Sequence, residues 1–307
     1  MTTEEPGFTR VIIVGAGAIG SYYGSMLSRK ADVLLVARRG HVEAVSSHGL
    51  EVTGAVEGTF DLGATTELKG IPEGSLVILT TKAYDIEEAV NGFKELLRPD
   101  TTLLALQNGL GNEELVHSLV GPDVEVVRGL ASTGVEFLSP GRIEVKLVRE
   151  TVLPKTATGE RIGRLFEMCG LDVRLSSRMD VEIWRKLTMN CVINPLTALF
   201  RVPNTEIAVE GLREVRRGIV DECVRVAEKE GVRLEGDLEE EIAKAAASYS
   251  NISSMCQDIM RGRRTEIGFL NGKVCELGRR HGVATPVNDV ITSRIRFMEG
   301  KEWNQRR

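Results

Sequence analysis

Four apolar residues, Val11 to Val14, run straight into Gly15-Ala16-Gly17-Ala18-Ile19-Gly20, a junction that few architectures can accommodate. A stretch that is apolar at every position reads as a strand buried on both faces, the habit of a central parallel strand. The glycines break it, a helical segment follows to about Lys30, and a second β-rich run, Val33 to Val36, completes a β-turn-α-β unit. In that setting the GxGxxG spacing has a mechanical meaning. Gly15 permits the tight turn, Gly17 lets the backbone approach a pyrophosphate, and Gly20 lets the helix pack close on the sheet. The helix N-terminus then offers N–H groups and the positive end of a dipole to phosphates. Gly15, Ala16, Gly17, Ala18, Ile19 and Gly20 are therefore the candidate dinucleotide loop. With 32 glycines in the chain the spacing alone could arise as a bare turn, so the flanking strands carry the argument.

The end of the second strand bears on which nicotinamide dinucleotide is bound. An Asp or Glu there, about 20 residues past the glycines, holds the ribose hydroxyls of NAD. Here the strand runs into Ala37-Arg38-Arg39. A carboxylate would repel a 2′-phosphate, whereas a guanidinium grips it through two hydrogen bonds, so Arg38 points to NADP. Two arginines of a solvated loop would look the same.

Leu76 to Leu79 and Thr102 to Leu106 read as further buried strands, ending in Thr80-Thr81-Lys82-Ala83 and Gln107-Asn108-Gly109. Ligands of open α/β sheets gather beyond the carboxyl ends of the strands, which places Lys82 and Asn108 toward the cofactor. Asn-Gly taken alone signals only a turn. Val124 to Val127, Ile143 to Val148 and Asp172 to Leu175 are strand candidates that suggest an extended sheet, with Ser139-Pro140-Gly141 as a turn. After Ser177 the pattern becomes helical, over Met179 to Leu199, Asn204 to Gly231, Leu238 to about Tyr249, Cys256 to His281 and Pro286 to Phe297. The expected organisation is an N-terminal Rossmann-type α/β domain over residues 1–177, followed by an all-α domain over residues 178–307. Gly282 follows a basic helix end and Thr285-Pro286 opens the next helix. Glu239 to Glu241 reads as a solvated first turn with no metal.

Composition narrows the partners. A net charge of −5 without a dense basic stripe argues against nucleic acid, which needs clustered Lys and Arg. The five cysteines are scattered and never form a CxxC pair, as expected of buried thiols in the cytoplasm. The acidic opening MTTEEPGFTR is unlike a signal peptide or anchor, and no apolar run is long enough to span a bilayer.

The helical half holds an unusual stretch, Ile183 to Leu199, IWRKLTMNCVINPLTAL. Lys186, Asn190 and Asn194 stand at i, i+4 and i+8 and stack on one face of an otherwise apolar helix. A lysine and two amides on one line can receive a small anionic ligand. They can equally pair internally, or lie on a wet face beside Arg185 and Thr188.

Taken with GAGAIG from Gly15, TKAYD from Thr81, QNGLGN from Gln107, KLTMNCVINPLTAL from Lys186, SSMCQDI from Ser253 and RTEIGFLNG from Arg264, the chain resembles the ketopantoate reductases. The resemblance runs from Val11 to about Asp289, with the six segments in the family's order and spacing. It implies reduction of 2-dehydropantoate to pantoate with NADPH, with Lys186 as the catalytic lysine and Glu266 at the junction of substrate and cofactor. Asn108, Asn190, Asn194, Asn204 and Ser254 would surround the substrate, and Asn251 is a weaker match. Cys191, inside the key helix, is a departure of small size. The chemistry agrees independently. A 2-keto acid needs a hydride, a proton for the developing alkoxide and a hold on its carboxylate. His41 and His48 follow the Arg38-Arg39 loop, His117 lies on a surface helix and His281 at a helix end, each better explained without catalysis, and Lys186, the lysine that the resemblance implies, is the alternative proton donor. Family members often pair as homodimers, although no seam declares itself. The rival readings are a reductase of another keto acid and a non-enzymatic NADP-sensing module.

Overall fold

The computed structural model describes residues 7–301; the acidic segment over residues 1–6, read above as neither signal peptide nor anchor, and residues 302–307 lie outside the described residues. Contacts divide the chain into two compact units, Met1–Gln107 with Gly111–Met179, and Asn108–Leu110 with Asp180–Arg307.

The first unit opens with β1 (Val11–Val14), buried at every position, then α1 (Ala18–Leu27), β2 (Val33–Val36) and α2 (Arg39–His48). A hairpin of β3 (Leu50–Gly54) and β4 (Gly58–Phe60) precedes β5 (Gly63–Thr65). β6 (Leu76–Leu79), α3 (Ile86–Asn91), β7 (Thr102–Ala105), α4 (Asn112–Val120) and β8 (Glu125–Arg128) follow. Six of these strands form one sheet in the order β5-β2-β1-β6-β7-β8, every pairing parallel. That is the doubly wound order of dinucleotide folds, reversing beside β1. β1, β6 and β7 are buried on both faces, which explains why their sequences lack alternation.

The single extended sheet expected from the sequence is instead three sheets. β9 (Leu130–Ala131), β10 (Gly134–Ser139), β11 (Arg142–Leu147), β12 (Thr151–Pro154), α5 (Ala157–Met168) and β13 (Val173–Ser176) complete the unit. Of the candidates, Val124 to Val127 joins the main sheet as β8. Ile143 to Val148 becomes β11 in a sheet ordered β10-β11-β3-β4, and Asp172 to Leu175 becomes β13 beside β12 and β9. The reason is burial: β11 alternates buried and solvent-facing residues, so it covers a core with one face and cannot sit between helix layers. The expected turn lies between β10 and β11, with Gly141 at φ +76°.

The second unit is helical: α6 (Met179–Phe200), α7 (Arg213–Lys229), α8 (Leu238–Ala247), α9 (Ser254–Met260), α10 (Asn271–His281) and α11 (Pro286–Met298). Its core includes Trp184, Leu187, Val192, Leu196, Ile219, Val226, Ile259 and Ile295. The helix expected from Asn204 begins only at Arg213. Before it, Asn204 gives its N–H to the Asn251 carbonyl (3.0 Å) and the chain makes two short 3-10 turns. The helix expected over Cys256 to His281 is also broken. Gly262, at φ +64°, ends α9 while Arg263 N–H returns to the Asp258 carbonyl at 2.8 Å, a left-handed stop. Glu266 therefore sits in the irregular link before α10, and not on a helix surface. Glu239, expected to be solvated, is 3% exposed and paired with Arg216.

Two features fix how the helices register. Pro195 lies inside α6 and removes the N–H that would serve the Cys191 carbonyl. Asn271 of α10 supplies the missing donor, its Nδ2 standing 2.9 Å from that oxygen. The same amide reaches Asn288 Oδ1 at 2.8 Å, and Asn288 Nδ2 reaches Glu222 Oε2 at 2.7 Å. Thr285 and Pro286 open α11 as expected, but the Thr285 hydroxyl makes no cap bond. Glu222 does that work, accepting from Val287 N–H (2.8 Å) and Asn288 N–H (2.9 Å).

Candidate functional site

In the first unit the glycine loop is held from both sides. Val36 O, at the carboxyl end of β2, accepts from Gly15 N–H and Ala16 N–H, each at 3.0 Å. The Thr80 hydroxyl, just past β6, lies 3.2 Å from Val14 O and 3.0 Å from Gly15 O. Gly15 has φ +88°, and a Cβ there would stand 2.4 Å from Thr81 Cγ2 and 2.6 Å from Thr81 N. A Cβ on Gly20 would meet Thr80 Oγ1 at 2.4 Å, whereas one on Gly17 would meet nothing nearer than 3.9 Å. Gly15 and Gly20 thus serve packing, and Gly17 faces open space. α1 starts at Ala18 with no side chain capping it and no acid in its first turn, which suits an approaching anion. Gly15→Ala is expected to clash with backbone and so abolish dinucleotide binding, to be checked by fluorescence titration with NADPH. Unchanged affinity would mean that the loop has room the geometry denies it.

Arg38 is the N-cap residue of α2 and Arg39 its first helical residue, and both are exposed. Lys82 precedes a short 3-10 turn and is partly buried. Two neighbours of residues singled out above were not anticipated. The Thr81 hydroxyl and both polar atoms of the Gln107 amide are buried without a hydrogen-bond partner among the described residues. They follow β6 and β7, beyond the carboxyl ends of the strands where ligands collect. Buried groups left unsatisfied in this way are rare and fit a site awaiting a polar ligand. Their only mark in the sequence is that each immediately precedes a singled-out residue, Lys82 or Asn108.

In the second unit, Asn194, Ser254, Met255, Asp258, Glu266 and Leu270 line one narrow crevice. Asn194 and Glu266 are 9% and 6% exposed. Lys186 and Asn190, two turns and one turn before Asn194 on α6, are partly buried. The stripe is buried at Asn194 and partly covered at Lys186 and Asn190. Thr188 is fully buried and donates to Trp184 O at 2.8 Å, while Arg185 turns away to Glu235 O and Glu241. Ser254 is exposed at the start of α9, and the cap of that helix is its neighbour Ser253, whose Oγ accepts from Cys256 N–H at 3.1 Å. Asn204 and Asn251 bond to each other, Nδ2 to Oδ1 at 2.9 Å, which leaves the buried Asn204 Oδ1 without a partner. They are not among the residues lining the crevice. Asn108 belongs by its contacts to this unit. Next to it Gly109, at φ +96°, packs so closely on Phe269 that a Cβ would lie 2.5 Å from its carbonyl oxygen.

No histidine lines the crevice of the helical unit. His41 and His48 are part of α2, His117 is exposed on α4, and His281 pairs with Glu230. All five cysteines are free and buried; burial pushes Cys275 up to about 12 and raises Cys191 too, so neither is a ready nucleophile. Among the described residues no group of His, Cys, Asp or Glu is arranged to hold a metal ion, and no helix is long and apolar enough to cross a membrane.

Two family models cover nearly the whole chain: ketopantoate reductase PanE/ApbA over residues 11–158 and its C-terminal domain over residues 178–299. The chain is 32% identical to the 2-dehydropantoate 2-reductase of Pyrococcus horikoshii, over 94% of this chain and 97% of that one. It is 31% identical to that of Archaeoglobus fulgidus, over 94% and 98%. Among solved structures, a PanE/ApbA family ketopantoate reductase from Ralstonia eutropha superposes with a TM-score of 0.88 at 32% identity, covering 94% and 98%. D-mandelate dehydrogenase, in a ternary structure with NADH and anilino(oxo)acetate, superposes with a TM-score of 0.87 at 27% identity, covering 94% and 98%. Sheet order, glycine loop, polar helix stripe and these likenesses agree, and the chain belongs to the ketopantoate reductase PanE/ApbA family.

Proposed function

We propose that the protein reduces 2-dehydropantoate to pantoate with NADPH, a step of pantothenate and coenzyme A synthesis, in the cytoplasm. The observation that carries this is the clustering in the helical unit of Asn194, Ser254 and Glu266, which line one narrow crevice although they lie far apart in the sequence. The first unit fits a dinucleotide through its uncapped helix, the open face of Gly17 and the unsatisfied Thr81 and Gln107. When bound, the dihydronicotinamide supplies the hydride. Lys186 gives a proton to the carbonyl oxygen and stabilises negative charge there. Asn190, Asn194 and Ser254 hold the carboxylate, and Glu266 orients the substrate hydroxyl or the cofactor ribose. Asn108 and Lys82 steady the cofactor, and Asn204 with Asn251 supports the substrate end. The likeness to D-mandelate dehydrogenase favours a second reading, the same chemistry on another 2-keto acid, since one methyl group is worth only about 1–3 kcal/mol of discrimination.

An absorbance assay with NADPH or NADH and a panel of 2-keto acids separates the readings. Rapid NADPH oxidation with 2-dehydropantoate alone is the expected result; turnover only with another keto acid would overturn the substrate, and no turnover with any would overturn the activity. Arg38→Ala should raise KM for NADPH at least about tenfold and leave KM for NADH unchanged, because only the phosphate loses its charge-assisted bonds. Equal effects on both would remove Arg38 from cofactor choice.

A further inference from the structure

His41 is 5% exposed and stands in the first turn of α2, its N–H bonded to Arg38 O at 2.9 Å. Its ring has two partners from elsewhere in the first unit. Gly141 N–H, in the turn between β10 and β11, donates to Nδ1 at 3.0 Å. An N–H donor requires an unprotonated Nδ1, so the ring hydrogen is on Nε2, which lies 3.1 Å from Ser21 Oγ. Burial lowers the histidine pKa, in keeping with that neutral tautomer. Ser21 directly follows the glycine loop, and its hydroxyl is left to point at Ala16 O, 3.5 Å away and inside the loop. Phe137 packs on the ring at 5.2 Å between centroids. One side chain thereby connects the helix turn that Arg38 caps to the loop that receives a pyrophosphate.

We propose that His41 is a positioning residue for cofactor choice, fixing the separation between the pyrophosphate loop and the 2′-phosphate ligand Arg38. The inference rests on the reading of Arg38 as that ligand. A dinucleotide has a set distance between its pyrophosphate and its adenosine 2′ position, so a guanidinium helps only if its helix is held at that distance. NADH carries nothing at the 2′ position for Arg38 to meet and is insensitive to a small shift of α2.

The test compares dissociation constants for NADPH and NADH, by fluorescence titration, in the wild-type protein and in His41→Phe, Ser21→Ala and Arg38→Ala. Phenylalanine keeps a ring against Phe137 and loses both hydrogen bonds. His41→Phe should weaken NADPH about tenfold while NADH stays within about twofold, the loss expected for one or two buried hydrogen bonds. Ser21→Ala should shift the ratio in the same direction by less. Equal weakening of both cofactors, or no change in either, overturns the proposal. If His41→Phe is recovered unfolded, Ser21→Ala carries the test, and an unchanged NADPH-to-NADH ratio overturns it. A wild-type protein without NADPH preference, or a preference that survives Arg38→Ala, fails the Arg38 reading itself, and the role of His41 falls with it.

Discussion

Alanine at Lys186 is expected to lower kcat by about 10²–10⁴-fold, the range for losing a general acid or an electrostatic donor, while NADPH still binds. Lys186 is on α6 among apolar neighbours and only partly buried, so the helix should survive its removal. Lys186→Arg keeps the charge but not the chemistry. A guanidinium gives up its proton far less readily and presents a planar fork where a compact ammonium stood. It should recover little turnover. Steady-state rates with a cofactor titration and a circular dichroism check decide the matter. Near-normal kcat in Lys186→Ala would end the assignment.

The largest expected loss of stability lies elsewhere in the helical unit. Arg216 and Glu239 are 2% and 3% exposed, with the guanidinium Nε and Nη2 both 2.8 Å from Glu239 Oε1. Nη1 donates to the Ile207 and Val209 carbonyls at 2.7 and 2.8 Å, so one side chain satisfies a carboxylate and the 3-10 turn before α7. Arg216→Met would strand a buried charge and should cost about 3–5 kcal/mol. Adding Glu239→Leu should restore much of that, because a buried ion pair exchanged whole for apolar groups is often neutral. Urea midpoints of the two single variants and the double variant provide the measurement. A loss under about 1 kcal/mol in Arg216→Met would mean that the half-exposed Arg213 and Arg217, 3.8 and 3.4 Å from Glu239 Oε2, compensate on their own.

That pair also marks what sequence reasoning could reach. Glu239 to Glu241 looks like a solvated turn because composition is local, and nothing near Glu239 in the chain announces Arg216 on another helix. The strands fared the same way. β1, β6 and β7 were legible because a strand buried on both faces is apolar throughout, but alternation in β11 reports one buried face and cannot name β3 as its parallel partner. In the site, Lys186, Asn190 and Asn194 could be grouped because helical spacing puts them on one line. Thr81 and Gln107 could not, since lacking a partner is a property of surroundings. The interrupted segment between α9 and α10 was hidden for a related reason: its apolar residues are frequent enough for a helix, and only Gly262 records the break.

Pro195 has a consequence beyond the bond it removes. Apolar helix faces are poor at specifying position, because one leucine or isoleucine fills a groove about as well as the next and a helix can slip by a turn at modest cost. An unserved carbonyl is different, since it exists at one height and one rotation on α6 and asks for one donor. Asn271 answers it and passes the constraint through Asn288 to Glu222. The proline thus acts as an address on the helix: by withholding a hydrogen bond at a single place it tells three other helices where α6, and with it the polar stripe, must stand.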